Sequence, residues 1–262
     1  MVFSNHPIDL QLLFYAFILT SFWMVELLWF SQNAKSKLQH SILNIKFLFF
    51  AVPVQLTLTG GLLFAANWVD LNHFGILGLF SLSLSSFLYY FLGFILIDLF
   101  GYLYHIMMHK IPVFWKFHLI HHCDMDVDIS STIREHPGET FVRVCFFILV
   151  VLIVGVSPAL LLMNQFIQTF SNLVSHSKIR LPHKLNKILS LVFVTPNTHH
   201  IHHHYLLPQT DSNYGDILTI WDRLFATFCS MKQSEIIYGV DTNMNEIENS
   251  NFINLLKRPF KK

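Results

Sequence analysis

Thirteen of the sixteen histidines in this 262-residue chain lie between His105 and His204. They fall into three groups: His105-x3-His109, His118-x2-His121-His122, and His199-x2-His202-His203. His136 and His176 lie between the groups. An α-helix advances about 100° per residue, so residues spaced i, i+3 and i+4 share one face. Each group therefore aims two or three imidazoles in one direction. Neutral imidazole is a nitrogen donor to Zn, Cu, Fe and Ni. Three converging faces of this kind supply enough donors for two metal ions. One register stays open: the run His199-His200-Ile201-His202-His203-His204 contains the H-x2-H-H pattern twice, and spacing does not choose between a start at His199 and one at His200.

Apolar segments must position these groups. Hydrophobic residues make up 53% of the chain and charged residues 13%, about half the charged fraction of an ordinary soluble domain. Mean hydropathy is +0.49. Leu10–Phe30, Ile42–Ala66 and Phe80–Leu103 each reach the roughly 20 residues needed to cross a bilayer. The first has neither a basic flank nor a small-residue cleavage site, so it reads as a retained helix rather than a signal peptide. A fourth apolar region, 141–175, is broken at Gly155-Val156-Ser157-Pro158, which predicts two helices joined by a tight turn. The expected fold is all-α: a polytopic bundle of three spans plus a helical hairpin, capped by histidine-rich helices. Residues 1–97 form the amino-terminal membrane helices, 98–230 the catalytic unit, and 231–262 a polar tail expected to carry no chemistry.

Lys35 and Lys37 lie between the first two spans with Lys46 at the start of the second, Lys110, Lys116 and Arg134 follow the third, and Lys178, Arg180, Lys184 and Lys187 follow the hairpin. Positive residues favour the cytoplasmic side, which places the amino terminus outside and all three histidine groups on the cytoplasmic face. That parity also requires 141–175 to leave on the side it entered. Cys123, Cys145 and Cys229 show no C-x-x-C spacing and are expected as free thiols. Cys123, directly after His122, is a weaker ligand candidate than the imidazoles. A net charge of +1 and the lack of a basic stripe give no sign of nucleic-acid binding.

Asp98, Tyr102, His105 and His109 form one stripe on a helix. A carboxylate inside an apolar span needs a partner: Asp98 either orients a ligand imidazole through its second nitrogen or bonds a tyrosine or a backbone amide within the bundle. His183, beside Pro182 in a basic loop, reads as a surface residue. Two other functions fit membrane histidines. A metal transporter needs polar groups along several spans, but the only carboxylates inside the first three are Glu26 and Asp98. A zinc-dependent hydrolase ordinarily adds a carboxylate ligand or H-E-x-x-H, and neither is present.

From Asp98 to Phe228 the chain resembles the fatty acid hydroxylase (sterol desaturase) superfamily of integral-membrane, non-haem di-iron oxygenases. The resemblance rests on Asp98-x3-Tyr102-x2-His105-x3-His109, Pro112-x2-Trp115-x2-His118-x2-His121-His122 and Arg134-x-His136-Pro137-x-Glu139. It continues through His176-Ser177, Leu181-Pro182, Thr195-Pro196 and Asn213-Tyr214-Gly215, and closes on Trp221-Asp222-Arg223-Leu224-Phe225-Ala226-Thr227-Phe228. It places the third pattern on His199, His202 and His203. The implied ligand set is His105, His109, His118, His121, His122, His136, His176, His199, His202 and His203, with Asp98 and Glu139 as supporting carboxylates. Thr198, Lys178 and Ala226 depart from the family pattern, Ala226 standing where the closing motif has glycine.

The resemblance implies two iron ions, O2 as co-substrate, and hydroxylation or desaturation of a C–H bond in a sterol, fatty acyl chain or ether lipid. His136-Pro137-Gly138 is similar to the haem loop of cytochrome b5, but no soluble haem module surrounds it. No haem is expected in the chain, and electrons would come from a separate cytochrome b5-like or ferredoxin-like protein. The host membrane would be the inner membrane of a bacterium or the endoplasmic reticulum of a eukaryote.

Overall fold

The computed structural model describes residues 7–31, 33–80 and 85–261, with side chains described from residue 16 onward. Among the described residues the chain is helical, with two isolated β-bridges and no longer strand. In order the helices are α1 (Pro7–Trp29), α2 (Ala34–Asn72), the short α3 (Gly75–Gly78), α4 (Ser86–Lys110), α5 (Pro112–His122), α6 (Pro137–Val154) and α7 (Pro158–His176). Then come α8 (His183–Leu189), α9 (Pro196–His202), α10 (Ile220–Leu224), α11 (Glu246–Asn249) and α12 (Phe252–Lys257). A 3-10 turn spans Ile129–Ile133.

Local chemistry sets these boundaries. Proline occupies the first turn of α5, α6, α7 and α9, where a missing N–H removes nothing the helix uses. The Asn33 side chain accepts from the amides of Lys35 and Ser36 and so starts α2. Thr195 and Thr198 form a capping box at the start of α9, which gives Thr198 a structural role.

Among the described residues three helical segments are long and apolar enough to cross a membrane: Ala34–Gly78, Ser86–Lys110 and Pro137–Val154. The expected second span lies within α2; the third, expected from Phe80, begins as a helix at Ser86 in α4, and residues 81–84 fall outside the described residues. The expected first span coincides with α1, whose side chains up to residue 15 are likewise outside them. The hairpin is present as α6 and α7, but its arms differ. α6 qualifies as a span, whereas α7 does not, with Asn164, Gln165, Gln168 and Asn172 along its length.

The second span begins earlier than expected. α2 runs 39 residues, about 58 Å at 1.5 Å per residue, so the expected 31–41 loop is already helical from Ala34. Lys37 is accordingly not a free loop charge; it is 4% exposed and bonded to two carboxylates.

One end of the bundle gathers the carboxyl ends of α4 and α7 and the amino ends of α2 and α6. At the opposite end the hairpin tip meets α3. Gly155 takes φ +82 to reverse the chain, and a Cβ there would stand 2.4 Å from the Phe74 carbonyl oxygen. Only glycine fits so close an approach at that φ. Beside it Ala66, Val69, Ile97, Val151, Val154 and Leu160 pack into the main apolar core. The outer faces carry Phe49, Phe64, Phe87 and Leu149, each more than half exposed, a belt larger than water-facing monomers display.

The tail is not inert. Phe252 packs edge-on against Phe47, and Leu255 is fully buried. Its backbone also holds two residues of the histidine-rich unit: the Asn249 carbonyl accepts from Arg134 and the Leu256 carbonyl from His136.

Ala226 adopts φ +56, a left-handed conformation costing a β-carbon residue about 1–2 kcal/mol. Replacement by glycine, Ala226→Gly, is expected to raise the thermal midpoint of the purified protein, with a net gain of about 1 kcal/mol. An unchanged or lower midpoint would show that the Ala226 methyl compensates through packing.

Candidate metal centre

The structure brings nine histidines into two adjacent clusters. His105, His109, His118, His122 and His202 form one; His121, His176, His199 and His203 form the other. Within each, one nitrogen per ring lies within 4.8 Å of the rest. The clusters abut, with the His122 and His203 rings stacked at 4.6 Å and those of His118 and His121 stacked at 5.4 Å. Four elements contribute: α4 gives His105 and His109, α5 gives His118, His121 and His122, and the end of α7 gives His176. α9 and its C-cap give the last three.

The helical spacing explains this division. His118 and His122, one turn apart, enter the first cluster, while His121 between them turns to the second. On α9, His199 and His203 share a face and serve the second cluster, and His202 reaches into the first. The third pattern therefore starts at His199. His200 points away and bonds Ser177 O and Arg180, and His204 accepts the Ile237 amide.

Hydrogen bonds fix which nitrogens are free. His105 Nδ1–H donates to Tyr214 O at 2.8 Å, His202 Nδ1–H to Ser212 O at 2.7 Å, and His176 Nδ1–H to Asn172 O at 2.8 Å. His118 Nδ1 lies 2.7 Å from Glu139 Oε1, and His109 Nδ1 lies 3.3 Å from Asp211 Oδ1. A carbonyl can only accept, so Nε2 of His105, His176 and His202 is bare. The Nε2 atoms of His105 and His118 nevertheless face each other at 3.2 Å. His176 Nε2 faces His121 Nε2 and His199 Nε2 at 3.1 Å each. Nε2 of His109 and His202, both nitrogens of His122, and Nδ1 of His199 and His203 are buried without a partner.

A buried polar atom without a partner costs about 1–3 kcal/mol, and opposed lone pairs repel. A cation at each cluster removes the lone-pair repulsion and partners the bare Nε2 atoms of His109 and His202, so the donor set fits two metal ions. The donors are all nitrogen and the nearest carboxylates act through a ring, the outer-shell arrangement metal-bound histidines favour.

Not every expected residue arrives here. His136 is placed at neither cluster; it caps α6, its Nδ1 accepting the Gly138 amide and its Nε2 donating to Leu256 O. Asp98 does not meet an imidazole; it accepts from Trp221 Nε1 at 2.8 Å and ties α4 to α10. Glu139, in contrast, is on His118. Cys123 is buried and donates to Ile120 O, and His183 is exposed.

Sequence reasoning missed a buried ionic network alongside. Lys37 Nζ bonds Glu26 at 2.7 Å and Asp128 at 2.8 Å; His40 bonds Asp124 at 2.8 Å and Asp128 at 3.2 Å. Asp124 and Asp128 are held well below the usual carboxylate range, against their own burial, chiefly by His40. Arg134, 1% exposed, bonds Ile120 O, Asn44 and Asn249 O. The signal available was Glu26 itself, an intramembrane carboxylate that required a partner.

Burial pushes the His118 imidazole down to about 4, against the opposing charges of Glu135 and Asp216. It lowers His121, His122, His199, His202 and His203 further, helped by their mutual repulsion. These rings stay neutral when folded but protonate near 6.5 when unfolded. Below that value the unfolded chain binds more protons, so stability rises with pH. The metal-free protein should thus lose stability steadily from pH 6.5 toward 4. Thermal midpoints across that range check this; a flat profile would contradict it.

The family model for fatty acid hydroxylase matches residues 90–227, which contain all nine clustered histidines. Human alkylglycerol monooxygenase is 25% identical over 172 residues, covering 65% of this chain and 37% of that protein. Ornithine lipid hydroxylase OlsE of Rhizobium tropici is 28% identical over 137 residues, covering 52% of this chain and 40% of the other. The Caenorhabditis elegans alkylglycerol monooxygenase is 29% identical over 155 residues, 56% of this chain and 28% of its own. The chain thus spans well under half the length of these relatives. No solved structure matches it. With the match covering more than half of its residues, the chain belongs to the fatty acid hydroxylase family.

Proposed function

We propose that this protein is a membrane-bound di-iron oxygenase that hydroxylates a C–H bond of a lipid, using O2 and electrons from a separate protein donor. The observation that carries this reading is the pair of adjacent all-histidine clusters at one end of the spanning helices. Iron held by these nine residues would supply O2 activation and oxidation of an unactivated C–H bond, chemistry that belongs to the cofactor.

The chain contributes binding, orientation and exclusion of water. Neutral imidazoles offer lone pairs without a proton to displace at pH 7. Eight of the nine rings are buried and His121 is the partly exposed one, so the site opens on the side of the four-histidine cluster. The apolar outer faces of α2 and α4 suit an acyl or alkyl chain lying in the bilayer, with the reactive carbon brought up to the interface. Alkylglycerols and acylated ornithine, named by the relatives, are the lipid classes to test first. Both names describe oxygen insertion, which favours hydroxylation over desaturation. Lys110, Lys116, Lys178, Arg180, Lys184 and Lys187 stand at the histidine end, which supports a cytoplasmic active site. A cytochrome b5-like or ferredoxin-like donor would dock there.

The test is anaerobic purification with metal analysis, followed by 18O2 incorporation into ether lipids and ornithine lipids with a chemical reductant. Two irons per chain and labelled product are expected. Zinc alone, with no iron uptake by the stripped protein and no O2 consumption on reduction, would overturn the reading in favour of a zinc-dependent hydrolase.

A further inference from the structure

One short segment organises the five-histidine cluster. Asp211 Oδ1 accepts from His109, Ser212 O from His202, and Tyr214 O from His105. Three of the five rings therefore take their orientation from residues 211–214, which belong to no regular helix. The four-histidine cluster takes nothing from this strap. Its one carbonyl-fixed ring, His176, is held by Asn172 O in its own helix.

Irregular backbone keeps its place only if it is pinned, and here two side chains do so. Asn213, at φ +52, donates to Thr198 O and Cys229 O and accepts the Cys229 amide. Asp222 is fully buried and accepts three donors: the Tyr214 amide at 2.8 Å, the Gly215 amide at 3.0 Å and the Thr227 hydroxyl at 2.7 Å. Thr227 shares a hydrogen bond with Tyr102, one turn before His105 on α4. The Asp222 carboxylate makes no ion pair with any described residue within 4.0 Å; its hydrogen bonds hold the strap. Only a carboxylate can accept from both amides and the hydroxyl together.

We propose that Asp222 is a positioning residue for the five-histidine position: it pins the 211–214 strap, and the strap sets which nitrogens of His105, His109 and His202 are free to bind a cation. The proposal rests on the metal-binding reading above. It separates Asp222 from a general stabilising residue, because its loss acts on one metal position and spares the other. An outer-shell partner typically governs 10–100-fold in metal affinity.

The experiment uses the full chain in detergent, stripped with chelator and titrated with Co(II), whose visible absorption reports its ligands. Wild type is expected to take up two equivalents with distinct spectra. Asp222→Asn, which turns an amide NH2 toward a backbone donor, should weaken one equivalent 10–100-fold, shift its bands and leave the other in place. Thr227→Val should act in the same direction and Thr227→Ser should restore uptake. Asp211→Asn keeps the shape and an acceptor but loses the charge on His109. It lies partly exposed, so it should perturb the same equivalent without lowering the thermal midpoint of the stripped protein. Proportional loss of both equivalents, or no change in either aspartate variant, would overturn the proposal while leaving the two-metal reading intact. Failure of the wild type to bind Co(II) would overturn both.

Discussion

Replacing His202 with alanine should abolish lipid oxidation and remove one of the two metal equivalents. His202 is fully buried, its ring centroid lies 4.5 Å from that of His122 and 4.6 Å from that of His105, and its bare Nε2 has no other partner. Alanine leaves the Ser212 carbonyl without its donor and opens a hole the width of an imidazole between α4 and α9. The loss in turnover should exceed the 10–100-fold typical of removing an outer-shell group, because a donor itself is gone. His121→Ala should remove the other equivalent, and the double variant both. Metal analysis with parallel turnover assays checks this; full activity in His202→Ala would show that the cluster is not the reaction centre. His136→Ala provides the contrast, since that ring holds Gly138 N and Leu256 O and faces no cluster. Its metal content should match wild type.

The largest expected effect on stability lies elsewhere. Lys37→Met should lower stability by about 3–5 kcal/mol, the cost of breaking a buried ion pair from one side. Lys37 Nζ is the shared donor to Glu26 Oε2 and Asp128 Oδ2, both carboxylates almost completely buried. Removing it leaves two negative charges facing each other across α1, α2 and the loop after α5. Glu26 also accepts the amides of Ile129 and Lys178, so the damage would reach the segment just after His176. The double variant Lys37→Met, Glu26→Gln should recover part of the loss. Thermal unfolding in detergent measures both. A single-variant penalty under about 1 kcal/mol would mean that water reaches the pair and screens it.

Much of the metal centre was legible in the residues because helical spacing is local. Two histidines a turn apart face the same way wherever the helix is placed, so His105/His109 and His118/His122 needed no fold to be paired. The third register needed more: His200 has the right spacing as well, and only the family resemblance, then the bond to Ser177 O, set it aside. His136 shows the limit of type and neighbourhood. Its proline-flanked position served to start α6, a use that places the ring beside the tail. The Asp98 expectation identified a carboxylate that needed a partner but could not fix which one, since Trp221 lies 123 residues away. The acceptors on His105 and His202 had no signature at all, because they are backbone carbonyls, and every residue has one. Lys37 was misread for a related reason. A lysine near a span reads as a flank charge until the carboxylates that bury it, at positions 26 and 128, are brought beside it.

The order in which ligands appear along the chain has a consequence for biosynthesis. Both clusters draw on α9 or its C-cap, the first through His202 and the second through His199 and His203. α4 and α5, with five of the nine rings, leave the ribosome 77 to 94 residues before His199. At roughly 5–20 residues per second, that interval lasts about 5–20 seconds. Throughout it the nascent protein already presents four of the five imidazoles of the first cluster, but of the second only His121, joined later by His176. The four-histidine cluster is completed only when the last box has emerged and the hairpin before it is in place. On the two-metal reading proposed above, the four-histidine position would therefore be the second to load, after the membrane portion is assembled.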